Sequence, residues 1–206
     1  MSLDSYVHYR KGAPGGAPLL FLFHGTGGDE MQFVTLGARL MPNAGIVSPR
    51  GDVIEFGANR FFRRTAEGVY DMADLARAAE KMAGFVKAHV EVEKPGAVLG
   101  VGYSNGANIL ASLIFAEPQL FDQAILMHPL IPFEPRIAGS LKTRLLLTAG
   151  RNDPICPPPM TEHLKSSFAS SGADAELVWH DGGHELRQEE VLAASRFFDQ
   201  HEASQA

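Results

Sequence analysis

Apolar residues in this chain cluster in short runs, and the polar residues between them come in two spacings. Leu19–Phe23, Gly45–Ser48, Ala97–Val101, Phe121–Met127, Arg144–Thr148 and Ala175–Trp179 are continuous or near-continuous apolar runs. Leu19–Phe23 has the pattern of a strand buried on both faces, and the other runs predict further strands. Between them, apolar residues recur three and four positions apart, as helices require. Phe33, Leu36 and Leu40 share one face, so a helix opened by Asp29 and Glu30 is expected; acidic residues suit the positive end of the helix dipole. Leu75, Ala79, Met82 and Val86 predict a second helix with Asp71 as its N-cap. Further helices are expected over Ala107–Phe115, over about Pro159–Ser170, and through Val191, Ala194, Phe197 and Phe198.

Strand and helix alternate throughout. That order implies right-handed crossovers and a mostly parallel sheet covered by helices on both faces, an α/β fold. No composition shift or repeat divides the chain, so residues 1–206 read as a single domain. Two stretches lack a period. Lys11–Ala17 is a Gly- and Pro-rich turn, and Arg50–Gly68 is a long loop of the kind that often carries function.

In open α/β sheets, ligands sit beyond the carboxyl ends of the strands. Four predicted strand ends carry reactive or permissive residues: His24–Gly28, Gly102–Gly106, Arg151–Pro154 and Asp181–His184. The second reads Gly102-Tyr103-Ser104-Asn105-Gly106, with an apolar strand before it and a helix after it. In that context a serine sits on a tight strand-to-helix turn, the flanking glycines leave room for neighbouring backbone, and the helix amides face an oxyanion. Ser104 is the candidate nucleophile.

A serine hydroxyl needs a base. His184 follows two glycines on the last strand-end loop and can swing over Ser104. His180, at the strand end itself, is expected to be packed in place, and His24 to support the first glycine loop. The carboxylate that orients the base is assigned to Asp153, whose turn is fixed by Pro154. Asp181 is too close in sequence to hold the imidazole from below, and Asp122 lies at the wrong end of the sheet. For the oxyanion hole, one amide falls to Asn105 and a second to Thr26 in the first glycine loop, with Gly25 the weaker candidate.

Composition removes other classes. A formal net charge of −6 disfavours nucleic-acid binding, and no run approaches the roughly 20 apolar residues of a membrane span. Gly25-Thr26-Gly27-Gly28 lacks the spacing of a nucleotide cradle. One cysteine, Cys156, precludes an internal disulfide; there is no paired-cysteine zinc pattern, and no metal or organic cofactor is expected. The N-terminus lacks a signal-peptide core, so a cytoplasmic location is the default.

Phe23–Glu30, Ser48-Pro49-Arg50-Gly51, Gly102–Ala107, Asp153-Pro154 and Gly182-Gly183-His184 together resemble the phospholipase/carboxylesterase family of small α/β-hydrolases, which includes acyl-protein thioesterases. The run Arg60–Arg64, with Gly68 and Asp71, is similar to a bacterial esterase branch. The resemblance implies an α/β-hydrolase fold without a large lid. It also implies ester hydrolysis on a small-molecule substrate, with the triad on Ser104, Asp153 and His184. Thioesterase members carry an aromatic-Asp motif where this chain has Arg60–Arg64, which argues against long acyl chains. Phe61, Phe62 and Arg64 are candidate pocket residues, with core packing of the phenylalanines and internal salt bridges of the arginines as the competing readings. Dienelactone-type relatives use cysteine, but Cys156 is not at the elbow. Thioester or peptide cleavage, a silent ligand-binding relative, and a homodimer stay open at this stage.

Overall fold

The computed structural model describes residues 2–137 and 139–205. Seven strands form the central sheet: β1 (His8–Lys11), β2 (Leu19–Phe23), β3 (Gly45–Pro49), β8 (Val98–Tyr103), β9 (Gln123–Met127), β10 (Arg144–Gly150) and β11 (Asp174–His180), in the order β1-β3-β2-β8-β9-β10-β11. Every neighbouring pair is parallel except β1 with β3. Sequence pattern missed β1 because His8-Tyr9-Arg10-Lys11 has no apolar run. A short charged strand is what a sheet edge favours.

Helices cover both faces. Helix α1 (Val34–Leu40) and α5 (Gln188–Gln205) pack on one, burying Leu40, Phe197 and Phe198 against Leu20, Leu22 and Val101. Helices α2 (Met72–Glu93), α3 (Asn105–Ala116) and α4 (Pro158–Ser170) cover the other, where Met82, Leu110 and Phe168 share a core with Phe21, Leu126 and Leu147. Helix α3 runs through the middle of that layer. Every residue from Asn105 to Phe115 is buried, so the helix is enclosed all round, with Asn105, Asn108 and Ser112 as its buried polar residues. Among the described residues, no helix is long and apolar enough to cross a membrane.

Two expectations need correcting. Helix α1 begins at Val34, not at Asp29. Asp29 turns back to accept the Met31 amide at 2.9 Å, and Glu30 is held by Arg50 at 2.5 and 2.6 Å, so the acidic pair serves a turn and an ion pair. The stretch Arg50–Gly68 is likewise not an unstructured loop. It holds the hairpin β4 (Val53–Glu55) with β5 (Ala58–Arg60), then β6 (Arg64–Ala66), which pairs with β7 (Val69–Tyr70). Phe56 and Gly57 link the first hairpin with φ of 50° and 82°, the left-handed pair that a two-residue turn needs. Strands of two or three residues are too short to leave a period in the sequence.

The Asp71 N-cap is present: its side chain accepts the Asp74 amide at 3.0 Å.

Candidate active site

Strands β8, β9, β10 and β11 end side by side, and their loops meet. Ser104 lies between β8 and α3 with φ 52° and ψ −117°, a strained backbone for a residue with a side chain. The flanking glycines permit it. A Cβ on Gly102 would strike Gly106 backbone, and one on Gly106 would overlap the carbonyl oxygen of Phe23. The turn therefore fits only against bare backbone.

Ser104 Oγ lies 2.9 Å from His184 Nε2, and His184 Nδ1 lies 2.7 Å from Asp153 Oδ2. His184 is carried on the loop after β11. That loop lies backbone to backbone against the end of β10: a Cβ on Gly150 would run into the carbonyl oxygens of Gly183 and Gly182. Tyr103 donates its hydroxyl to His184 O at 2.7 Å, and burial pushes the phenol up to about 12, so it remains a donor.

Asp153 is fully buried and accepts four hydrogen bonds. Oδ1 takes the amides of Ile155 at 2.8 Å and Cys156 at 3.0 Å; Oδ2 takes His184 and, at 2.8 Å, His128. Burial alone would raise its carboxyl. The Cys156 amide, the two imidazoles and the Ile155 amide outweigh burial and hold it below the usual carboxylate range.

Sequence reasoning missed His128. It ends β9, directly beside Ser104 on β8, and its φ is also 52°. Its Nε2 lies 3.1 Å from Glu190 Oε1, and Glu190 belongs to α5. Neither residue sits in a motif; only the register of β9 against β8 and the packing of α5 bring them to the triad.

The first glycine loop lies opposite. His24 Nδ1 donates to Gly25 O at 2.7 Å and its Nε2 accepts the Gly51 amide at 2.8 Å, tying the loop to the chain after β3. Burial lowers His24's affinity for a proton, which suits that accepting role. Arg60, itself buried, donates to Thr26 Oγ1 at 2.7 Å. The Thr26 and Asn105 amides donate to no other group among the described residues.

Thr26, Ser104, Asn105 and His184 line one cavity of about 290 Å³ with Arg60, Arg64, Glu67, Tyr70, Tyr103 and Ile155. Arg64 is there as expected, already paired with Glu55 at 2.9 Å and with Glu67. Phe61 and Phe62 are not. Phe61 stacks on His24 with ring centres 4.6 Å apart, and Phe62 packs edge-on against Tyr70 at 4.8 Å, so both fill the core beneath the hairpins. Cys156 reaches the cavity wall, but its Sγ donates to His128 O at 3.3 Å and burial pushes the thiol far up, which removes it as a nucleophile.

A model of the dienelactone hydrolase family matches residues 58–194, well over half of the chain. The chain belongs to that family. The family is one of small α/β-hydrolase esterases, the level at which the sequence motifs had placed the protein. Dienelactone-type relatives use cysteine, whereas this member carries serine at its elbow. A putative hydrolase of Bacillus subtilis strain 168, MhqD, is 39% identical over 196 residues, covering 92% of this chain and 96% of its own. The crystal structure of Atu2452, a protein of unknown function from Agrobacterium tumefaciens C58, shares 55% identity across 97% of this chain and 98% of its own, at a TM-score of 0.94. A Bacillus cereus carboxylesterase shares 34% identity over 94% and 93% of the two chains, at a TM-score of 0.89. This dienelactone hydrolase family member is a hydrolase of the esterase type, built on a mostly parallel sheet flanked by helices.

Proposed function

We propose that the protein hydrolyses small carboxylic esters through an acyl-enzyme on Ser104. One observation carries this reading: Ser104 Oγ, the His184 ring and Asp153 Oδ2 stand in a row at 2.9 and 2.7 Å. That is hydrogen-bond reach for a nucleophile, a base and the group that orients the base.

In the first half-reaction His184 Nε2 takes the hydroxyl proton as Ser104 Oγ bonds to the ester carbonyl carbon. The Thr26 and Asn105 amides donate to the resulting oxyanion. The intermediate collapses, the carbon–oxygen bond to the alcohol breaks, and His184 returns the proton to that oxygen. Water then repeats the sequence on the acyl-enzyme and releases the acid. Asp153, held ionised by its four donors, stabilises the imidazolium that forms twice per turnover.

Size and polarity narrow the substrate. The cavity sits at the low end of the roughly 300–1,000 Å³ usual for ligand pockets. Charged and hydroxyl groups dominate its wall, with Leu130 and Ile155 as apolar patches. Short acyl groups fit this wall better than fatty chains.

Fluorophosphonate labelling tests the nucleophile. The native protein is expected to take one label and Ser104→Ala none; equal labelling of the two rejects the assignment. A series of p-nitrophenyl esters tests the pocket, with acetate and butyrate turned over faster than decanoate.

A further inference from the structure

The row of hydrogen bonds does not stop at Asp153. Behind it, His128 Nδ1 reaches Asp153 Oδ2 at 2.8 Å, and its Nε2 reaches Glu190 Oε1 at 3.1 Å. Glu190 is fully buried and takes three more donors: Thr148 Oγ1 at 2.5 Å, the Arg187 amide at 2.8 Å and His180 Nε2 at 3.2 Å. Asp153 thus accepts four hydrogen bonds, and Glu190 accepts two with an imidazole nitrogen within 3.2 Å of each of its oxygens, so every carboxylate oxygen meets two partners, as a buried anion requires.

We infer that His128 is a standing imidazolium that positions the Asp153 carboxylate from behind, with Glu190 as its counter-ion. This rests on the Ser104 reading only for its kinetic consequence. The geometry favours the protonation. Nδ1 of His128 bonds Asp153 at 2.8 Å and Nε2 lies 3.1 Å from Glu190 Oε1, so an imidazolium meets both carboxylates with an N–H, whereas a neutral ring would keep a lone pair on Nε2 and accept the His180 Nε2 proton at 3.4 Å instead. Burial works against that charge, and the bonds to Glu190 and Asp153 outweigh it, raising the proton affinity of His128. The same partners hold Glu190 below the usual carboxylate range against its own burial. Nothing else charged opposes the arrangement among the described groups packed on His128. Tyr103 and His184 present rings with centres at 5.8 and 5.0 Å, Cys156 touches only the backbone carbonyl, and His180 faces the ring with Nε2 at 3.4 Å.

His128, His180 and Glu190 are close enough to read as metal ligands. The hydrogen bonds assign them otherwise. The Gly182 amide donates to His180 Nδ1 at 3.0 Å, so the ring's proton is on Nε2, 3.2 Å from Glu190 Oε2 and 3.4 Å from His128 Nε2, and that nitrogen has no lone pair for an ion.

The counter-ion has a purpose. A lone His128 cation would cancel the field of Asp153, which must stabilise His184 when that ring gains the serine's proton. With Glu190 behind it, the His128 charge is balanced. In the reacting state the row runs His184 cation, Asp153 anion, His128 cation, Glu190 anion, with no net charge. His128 also fixes the direction of Oδ2. Its strained backbone beside the equally strained Ser104 puts the ring there, and strain of this kind persists only where the surroundings enforce it.

Nitrogen NMR of the histidine rings reads the charge in the resting protein, independently of turnover. At a pH just above the ordinary histidine value of about 6.5, both ring nitrogens of His128 are expected to be protonated, and one to lose its proton in Glu190→Gln. Kinetics on a short ester reads the positioning. His128→Leu is expected to lower kcat about ten- to thirtyfold, the scale of one lost hydrogen bond to a charged group, with KM within about twofold. His128→Asn, whose amide nitrogen replaces Nδ1, is expected to recover most of that loss. A neutral His128 at that pH, equal losses in the Asn and Leu variants, or a metal ion bound one per chain to His128, His180 and Glu190 would each overturn the inference. Absence of label on Ser104 with a doubly protonated His128 rejects the hydrolytic mechanism and leaves the charge assignment standing.

Discussion

The two sides of Asp153 are built differently. Toward Ser104 and His184 the site is open, its residues sit in short motifs, and glycines surround it. Toward His128 and Glu190 it is closed and fully buried, and its residues lie 62 positions apart in the chain with no motif at either (128 to 190). The open side is set by local backbone geometry, the closed side by strand register and by how α5 packs. The side that must touch substrate turns at Ser104, and that turn fits only between Gly102 and Gly106. A side that only holds a charge needs a buried partner, which any packed element can provide.

Four measurements would break or sharpen that contrast. Ser104→Ala is expected to cost the open side nearly everything, at least about 10⁴-fold in kcat for a short ester, as loss of a triad nucleophile does elsewhere. A residual rate within tenfold of the parent would place the chemistry on another residue.

Gly106→Ala comes next. Its methyl group has no space against Phe23 and His24 backbone, so a loss of about 2–3 kcal/mol is expected in urea unfolding. Unchanged stability would mean that the elbow is not held by that contact.

The closed side should announce itself in the pH dependence of stability. Asp153 and Glu190 are held below their ordinary values, so their contribution is present above about pH 4 and is lost as pH falls through their folded values. His128 is shifted upward, so its contribution is complete below about pH 6.5 and is lost as pH rises through its folded value. Thermal melts should therefore place the native protein's maximum on the mildly acidic side of neutrality, with the steeper fall toward acid. Glu190→Gln should flatten both limbs; a parallel pair of curves would contradict the charge assignment.

The smallest effect belongs to Cys156→Ala. Its thiol makes one weak hydrogen bond and is kept protonated by burial, so kcat should stay within about threefold. Abolished activity would reinstate the cysteine chemistry of other dienelactone hydrolases.

Much of this architecture could be read from the chain. Six of the seven central strands announced themselves as apolar or near-apolar runs; five are covered on both faces and have little room for polar residues, while edge strand β11 is partly exposed. Ser104, Asp153 and His184 were selected from strand-end position and turn chemistry, and the structure brings the three within hydrogen-bond reach. What stayed hidden has physical causes. Edge strand β1 is polar because it faces water, and the hairpins of residues 53–70 are too short to carry a period. Phe61 and Phe62 beside arginines looked like pocket lining because sequence does not reveal which side of a loop is up. Glu190 sits in no motif, and only the packing of α5 turns it inward.

The backbone contact between Gly150 and the Gly182–Gly183 turn has a consequence for redesign. It holds the two loops at backbone contact, with the Asn152 side chain donating to Asp181 O at 2.9 Å beside it, so substituting exposed side chains elsewhere on those loops is expected not to change the gauge. Exchanging either loop for a longer one does. The hairpins of residues 53–70 carry Arg64, Glu67 and Tyr70 on the cavity wall and none of the triad, so they are exchangeable provided that Arg60, Phe61 and Phe62, which tie them to Thr26, Asn105, His24 and the core, are kept. Chimeras that swap only residues 53–70 between relatives should transfer substrate preference, while those that cross between Gly150 and Gly183 should lose the alignment on which turnover depends.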